Sequence, residues 1–555
     1  METCHALQKQ EHNQERGINE TRSNLARVRP RPNLWGTLGP FRLLVGATPM
    51  KVIHTDVLKL GTKMSSDEEL WIYNGLDCCV TREILDVLLP QLDNMTSSTY
   101  TLSRNLQGPV LEMNMRGVRI DEEERKRAIR DYNNDVDRLE RQLYSIVNDG
   151  VGYGEFRTIG KSRAWRSRDQ VAALLYDVLR LPEVRKRNEK GDMVRTVNRD
   201  ALEKLQLYFI AQPIISHILS LRDLGKKISV LETEIDPDGR IRTSYNIAGT
   251  TTGRFSSAYS DFGTGGNQQN IEERLRRVYI PDEGMKLANI DLEQADSRNI
   301  GALCHEYLGD SRYLEACESG DLHTSVSRLA IREWPWTGDI KLDRVLAERI
   351  YYRHHSLRHM CKVLGHGTNY LGTPYEMSRH TKISPDKIKE FQSVYFKAFP
   401  AIQGLHDWVA NELIERGHLV TLFGRKRWFF GRRDDRDTLK QAVAHLGQSM
   451  TADEMNNGLL QAWRLNICQI LLQVHDSILI QYPWEKEDEI IPKLLEAMRV
   501  SLTLRGGRKF IVPLDVKVGW NWAKIDPKKE TFEDGNPLGL SKWPDDRRTQ
   551  MRKLD

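Results

Sequence analysis

Two aspartates stand where apolar, strand-like runs end. In KLANIDLEQADSR (286–298) an apolar run delivers Asp291 and a polar, helix-compatible stretch follows. In ILLQVHDSILIQ (470–481) two apolar runs flank His475-Asp476, which places the pair near the tip of a tight hairpin. His-Asp is a poor turn-forming pair, so turn chemistry alone explains it badly. A hard cation such as Mg²⁺ favours one or two carboxylates together with substrate phosphates. Asp291 and Asp476 together would complete a two-metal site, which activates an attacking oxygen and stabilises the leaving oxygen of an in-line phosphoryl transfer. Taken alone, Asp291 reads more simply as an ordinary strand-ending aspartate.

A third segment, RHMCKVLGHGTNYLG (358–372), spaces Arg358, Lys362, His366 and Tyr370 four apart, so they share one helix face. Two cations one turn apart can grip a triphosphate, and a ring further along can stack on a base. His355 and His359 also stand at i, i+4, but without an H-E-x-x-H glutamate or a third ligand a metal site is the weaker reading. The fourth segment, GTTTGRFSSAYSDFGTGGNQQNI (249–271), offers backbone N–H groups, hydroxyls and Arg254 to phosphates. Its amides Asn267, Gln268, Gln269 and Asn270 suit minor-groove acceptors. On composition alone it is equally a flexible linker.

The elements that must position these residues lie in a chain of 555 residues, enough for two to four domains. Charged residues make up 29% and the hydrophobic set 39%, and no run approaches the ~20 apolar residues of a spanning helix. The start, METCHALQKQEHNQ, lacks the apolar core of a signal peptide. Seven scattered cysteines without a CxxC pair read as reduced thiols in a cytosolic compartment. A net charge of +5 permits a nucleic-acid partner without demanding one.

Residues 1–50 contain no Asp and read as a poorly ordered segment, whereas 66–94 look helical. Two amphipathic stripes follow, over Asp121–Val147 and Ser216–Ile235, able to pack antiparallel as an arm or to form an ordinary helix pair. From about 240 onward strand-like runs (Ile241–Tyr245, Lys286–Asp291, Ile470–Val474, Ser477–Gln481) alternate with helical blocks at 295–320, 341–372, 384–416 and 437–464. Residues 526–555 form a charged tail, a mobile or surface-wrapping end.

Together these residues resemble the family A DNA polymerases, the group of bacterial DNA polymerase I and many phage replicases. DLEQADSR is similar to the family's motif A, RHMCKVLGHGTNY to motif B and VHDS to motif C, and TGRFSS…NQQNI resembles its TGRLSS…NLQNI element. QGPVLEMNMRGVRID, DLHT, GHLVTLFGRKRWF, GQSMTADEMN and VPLDVKVGWNW follow in the family's order, over about 105–525. The resemblance implies an α+β right-hand fold, with an antiparallel palm sheet and helical fingers and thumb, behind a partial exonuclease-like segment. The implied divisions are an exonuclease remnant at 51–100, thumb at 101–240, palm at 241–300 and 436–525, and fingers at 301–435. Asp291 and Asp476 would be the metal-binding carboxylates, with the Leu292 carbonyl an additional ligand for two Mg²⁺ ions. Arg358, Lys362 and His323 would contact the nucleotide's phosphates. Gln294, Asp296 and His366 would belong to the nucleotide pocket, Arg298 would support it, and Tyr370 would lie under the templating pair. Arg254, Gln448 and His475 match positions at the primer–template minor groove or primer end, alongside Asn267, Gln269 and Asn270. The implied partners are primer–template DNA and dNTPs, with a separately encoded exonuclease piece or replisome proteins as further candidates. The lean architecture looks phage-like, which would place the protein in the host cytoplasm.

The chain also departs from the family pattern. Ser477 replaces the Glu that usually ends motif C, His366 replaces a Phe or Tyr, and Leu371 interrupts a Tyr-Gly pair. Tyr73 and Asp77 in YNGLDCCVTREI resemble the third exonuclease motif, yet the first Asp of the chain is Asp56 and no upstream D-x-E precedes it. The expectation is therefore no proofreading by this chain alone. A catalytically dead duplex-binding subunit and a single-subunit RNA polymerase are the competing functions. The two aspartates disfavour the first, and the TGRFSS…NQQNI element and the HD hairpin disfavour the second. Asp296 stands where the family usually has Glu, the residue that blocks a ribose 2′-hydroxyl. With one methylene fewer, the chain is expected to exclude ribonucleotides weakly. Asp296→Glu should raise the dNTP-over-rNTP preference in single-nucleotide extension, and an unchanged ratio would contradict this.

Overall fold

The run MKLANIDL has apolar residues on both of its faces, so as a strand it must be covered on both sides. In the computed structural model it is the central strand β1 (Met285–Leu292) of a five-stranded sheet. The hairpin β2 (Gln469–Val474) and β3 (Ser477–Pro483) pairs antiparallel on one side of β1. On the other side lies β4 (Leu514–Gly519), with a short edge strand β5 (Ser541–Lys542) beyond it. Ile478, Ile290 and Val516 stand side by side across β3, β1 and β4, and all are buried. Burying each such side chain is worth ~1.5–3 kcal/mol, so a slip in pairing would forfeit several kcal/mol. The neighbouring row, Ser477, Asp291 and Asp515, therefore faces the other way.

The structure describes residues 66–160, 162–188, 191–353, 355–525 and 535–544, in a unit ending at Ser97 and a larger one starting at Ser98. In the first, a helix over Ser66–Leu88 carries Tyr73 and Asp77, both exposed, and gives way to a short turn at Leu89–Gln91 containing Pro90. The expected disorder of 1–50 and the question of carboxylates upstream of Asp77 lie outside the described residues.

The two amphipathic stripes form α1 (Glu122–Tyr144) and α2 (Gln212–Leu231). Asp121 caps α1 by accepting from the Glu124 N–H at 3.0 Å, and three glutamates occupy its first turn, favourable at a helix N-terminus. The helices run antiparallel: Arg125 near the start of α1 donates to the Thr233 carbonyl just past the end of α2 at 2.9 Å. They share a core of their own, including Val136, Leu143, Trp165, Leu174, Ile218 and Leu221. α2 starts four residues earlier than its stripe suggests, because Pro213 is tolerated in a first turn where its missing N–H costs nothing.

Three of the expected helical blocks are broken, each for a local reason. The 295–320 block stops at α3 (Ala295–Leu308), where Gly309 takes φ 71°, and resumes over Arg312–Glu318. Block 341–372 contains a small hairpin, Ile350–Tyr352 with His355–Ser356, between two helices. Block 384–416 divides at Phe399, which leaves the helical region (φ −129°, ψ 67°) because Pro400 follows. A further helix, α4 (Leu322–Ala330), precedes the motif B helix α5 (Leu357–Asn369). The 30-residue α6 (Arg436–Leu465) is buried on most of its surface and packs against α3 and β3. The described part of the C-terminal tail wraps the sheet: it contributes β5 and buries Asn536, which exchanges hydrogen bonds with Asn521 at 2.8 and 3.0 Å.

The TGRF loop is fastened to α6. Gly253 takes φ 81° with the Arg425 guanidinium against it, in space that a Cβ would fill at 2.4 Å. Arg425 grips Asp453 with two nitrogens, at 2.6 and 3.1 Å, and Asn456 donates to the Gly253 carbonyl at 3.2 Å. Asp453 is buried, and burial pushes its carboxyl up despite this pairing. Arg425→Leu would leave that carboxylate unpaired, a change that costs about 3–5 kcal/mol where both partners are buried and somewhat less here because Arg425 is partly exposed. The expected outcome is a clearly lower melting temperature for Arg425→Leu, with a smaller loss for the Arg425→Leu/Asp453→Leu pair; equal losses would contradict the role assigned to the ion pair.

Candidate active site

Asp291 is the last residue but one of β1, and Asp476 sits in the two-residue connection of the β2–β3 hairpin. The Leu292 N–H donates to the Asp476 carbonyl oxygen at 3.1 Å, which joins the two segments backbone to backbone. His475 takes φ 56°, an uncommon conformation for a residue with a Cβ, and its carbonyl accepts from Gln473 at 2.6 Å. A strained His-Asp turn where Asn-Gly would be cheaper marks a place held for its side chains. Burial, and then the charge of Asp476, push the Asp291 carboxyl up to about 7, while Lys517 pulls the other way. Burial likewise raises Asp476, and Asp296 adds to the effect. Two half-buried carboxylates, each raised by burial and by a neighbouring acid, are a ready seat for a hard divalent cation. Asp515 stands opposite Asp291 on β4 and is paired with Lys517 and, at 3.7 Å, with Lys542. Sequence reasoning missed it, although VPLDVKVGW alternates as a strand does.

A pocket follows directly from the end of β1. Gln294 takes φ 55° ahead of α3, and its Oε1 is buried without a partner. Asp296 lies in the first turn of α3, accepts from the Thr451 hydroxyl at 3.0 Å, and has an Arg254 guanidinium nitrogen at 3.8 Å. Arg298 is buried and donates to the Glu293 carbonyl at 3.0 Å, bracing the turn that carries Gln294. Tyr370, at the C-terminal end of α5, packs on Gly447 of α6, where a Cβ would stand 2.5 Å from its hydroxyl. Burial holds that hydroxyl well above its ordinary pKa, with Asp296 adding to the effect. The buried Arg254 Nε and Tyr370 Oη also lack partners. Unsatisfied polar atoms gathered around one carboxylate are what a polar ligand would satisfy. Gln448, half-buried, follows Gly447.

The expected cation row runs along α5. Lys362 and His366 are exposed, and the His366 and Tyr370 rings lie 5.0 Å apart. Arg358 is held by Asp321 through two hydrogen bonds at 3.0 and 3.2 Å, a partner that sequence reasoning missed. Asp321 also caps α4, accepting from the Thr324 N–H, and its place just before LHT was the available signal. His323 lies near this row: burial, then Arg358 and Lys362, push its pKa down to about 4, so its imidazole is neutral at pH 7. From Arg358 to Tyr370 the helix spans roughly 18 Å at 1.5 Å per residue. Of the loop amides, Asn267 and Asn270 are exposed, while Gln269 is buried with its amide nitrogen committed to Gln473 at 3.0 Å. The Asn267 side-chain oxygen accepts from Ser257 and from the Gln269 N–H, both at 2.9 Å, and shapes the loop.

With this geometry in view, comparison with known proteins is decisive: the sequence profile of DNA polymerase family A matches residues 130–524. The chain belongs to DNA polymerase family A. It is 26% identical over 435 residues to the thermostable DNA polymerase I of Thermus aquaticus, covering 75% of this chain and 47% of that protein. To DNA polymerase I of Mycobacterium tuberculosis it is 29% identical over 406 residues, covering 69% of this chain and 40% of that protein. The chain thus spans less than half the length of these relatives. Its fold is similar to the POL domain of Pol1 from M. smegmatis, solved in complex with DNA primer-template and dNTP. That likeness has a TM-score of 0.62 and 22% identity, covering 90% of this chain and 81% of the other. The α+β fold expected of a family A polymerase is the fold observed.

The raised Asp291 carboxyl has a pH consequence for this polymerase-family site. An acid whose folded-state pKa exceeds its unfolded value of about 4 stabilises the fold at low pH. That contribution is lost as pH rises from about 4 through about 7. In the metal-free protein, Asp291→Asn should therefore raise the melting temperature more at pH 8 than at pH 5. Added Mg²⁺ should stabilise wild type more at pH 8 than at pH 5 and do little for Asp291→Asn. A pH-independent Mg²⁺ effect shared by both proteins would contradict this.

Proposed function

We propose that the chain is a template-directed DNA polymerase that joins a deoxynucleotide to a primer 3′-OH. The observation that carries this reading is the joining of Asp291 and Asp476 by the Leu292–Asp476 backbone hydrogen bond, beside a pocket of unsatisfied polar atoms. Asp291, Asp476 and the Leu292 carbonyl are hard oxygen donors, and the raising of both carboxylates by burial and by neighbouring acids supports their holding Mg²⁺, two ions in this reading. A metal held there would supply activation of the attacking oxygen and stabilisation of the charge on the departing one. The primer 3′-OH gives its proton to solvent, its oxygen bonds to the α-phosphorus, the bond to the bridging oxygen breaks, and pyrophosphate leaves.

The chain's own residues bind and orient. Lys362 and Arg358 grip the triphosphate, with Asp321 holding the Arg358 guanidinium ready, and neutral His323 is free to donate one hydrogen bond. Gln294, Asp296 and His366 line the nucleotide pocket, Arg298 braces it, and Tyr370 supports the templating pair from Gly447. Arg254, Asn267, Asn270, Gln448 and His475 serve the primer–template minor groove, with Gln269 tying that loop to the β2–β3 hairpin. The six cysteines among the described residues are all free, and Cys304, Cys317 and Cys361 are buried, which suits a reducing cytoplasm.

Primer extension with dNTPs tests the reading. Loss of one metal-holding carboxylate should forfeit several kcal/mol of transition-state stabilisation, about a thousandfold or more in rate, for Asp291→Ala and for Asp476→Ala. Extension that survives both substitutions would overturn the site. Preferential extension with rNTPs would instead favour an RNA polymerase. We further propose that Tyr73 and Asp77, which stand one turn apart on an exposed helix, are a vestigial nuclease motif. Single-strand degradation by the purified chain, lost in Asp77→Ala, would contradict this.

A further inference from the structure

Behind Asp296 lies a line of buried polar side chains. Thr451, on α6, points its one hydroxyl proton at two acceptors, Asp296 Oδ1 at 3.0 Å and the Gly447 carbonyl one turn back at 3.2 Å, of which the charged carboxylate is the nearer. The same hydroxyl oxygen accepts from Asn299 Nδ2 at 3.1 Å, and that amide also donates to Glu454 Oε2 at 3.1 Å. Asn299 and Thr451 are 0% exposed and Glu454 3%. The line costs stability rather than adding to it. Asn299 Oδ1 has no partner, and burial pushes the Glu454 carboxyl up to about 8. Apolar side chains at these three positions would avoid both penalties. The line reaches a half-exposed side chain at one end, Asp296. Asp296 is also placed by little else: Arg254 stands 3.8 Å away, and the Tyr370 hydroxyl makes no hydrogen bond to it.

We propose that Thr451, itself fixed by Asn299 and Glu454, is a positioning residue that aims the Asp296 carboxylate at the sugar of the incoming nucleotide and so sets sugar discrimination. This rests on the reading of Asp296 as a nucleotide-pocket residue. A short carboxylate has two free χ rotations, and only a held one presents a fixed oxygen and a fixed van der Waals wall to a 2′-hydroxyl. Thr451 supplies the hold by a hydrogen bond to a charged acceptor, one of the stronger kinds.

The test is single-nucleotide primer extension with dNTP and rNTP, reading kcat and KM for each. Thr451→Val keeps the shape and removes the hydroxyl. The ratio of dNTP to rNTP efficiency should fall on the order of tenfold, mainly through a lower KM for rNTP, and Thr451→Ser should restore it. In an Asp296→Ala background Thr451→Val should have no further effect on the ratio. The Asn299→Val/Glu454→Leu pair offers a second route should Thr451→Val fold poorly. It should melt no lower than wild type while discriminating less, a combination that a purely structural role would not produce. If Asp296→Ala changes the ratio but neither Thr451→Val nor the Asn299/Glu454 pair does, the positioning role is wrong. If Asp296→Ala itself leaves the ratio unchanged, the pocket reading of Asp296 fails instead.

Discussion

The register between β1 and β3 is the constraint on which the rest depends. Ser477 pairs with Asp291, so the hairpin turn delivers Asp476 beside the end of β1, and the Leu292 N–H closes on the Asp476 carbonyl. Side chains alternate across a sheet, so a one-residue slip would turn Asp291 to the opposite face and bury a charge among aliphatic side chains. The row Ile478, Ile290 and Val516 prevents that slip by filling the core face. Chemistry on one face of the sheet is thus specified by hydrophobic packing on the other. The two carboxylates need this, since like charges held close repel and would separate if the backbone allowed it.

α6 supplies the second level of support. Within a short stretch it offers Gly447 to Tyr370, Thr451 to Asp296, Asp453 to Arg425 and Asn456 to the Gly253 carbonyl. Every contact in this series is polar or close-packed, and each reaches, directly or through Arg425, a segment carrying a proposed nucleotide or DNA contact. Such a helix cannot be amphipathic in the ordinary sense, because it is enclosed on most sides. Its buried acids and amides are tolerated only because each serves a neighbour, which is how stability is exchanged for a fixed site.

Much of this was legible in the sequence. Asp291 and Asp476 announced themselves because apolar runs ended on them, and the Arg358–Tyr370 row because its spacing matches one helix face. The family resemblance ordered these pieces, and the profile match over 130–524 agrees with it. What stayed hidden depended on tertiary pairing. Asp515 becomes a neighbour of Asp291 only when β4 joins the sheet, and Asp321 becomes the partner of Arg358 only when α4 meets α5. The buried line through Thr451, Asn299 and Glu454 joins residues about 150 positions apart, and no local pattern marks it. Helix ends were misjudged where one residue decides them, as at Gly309 and Pro400.

On the reading proposed above, two carboxylates from distant segments form one cation site by virtue of strand register. The most direct measurement is the number of Mn²⁺ ions bound to the protein with a chain-terminated primer–template and a dNTP, counted by electron paramagnetic resonance. Two ions bound to wild type, with the loss of tight binding in both Asp291→Asn and Asp476→Asn, is the result expected. Unchanged Mn²⁺ binding in either variant would contradict it, because it would mean that the two aspartates do not share a site.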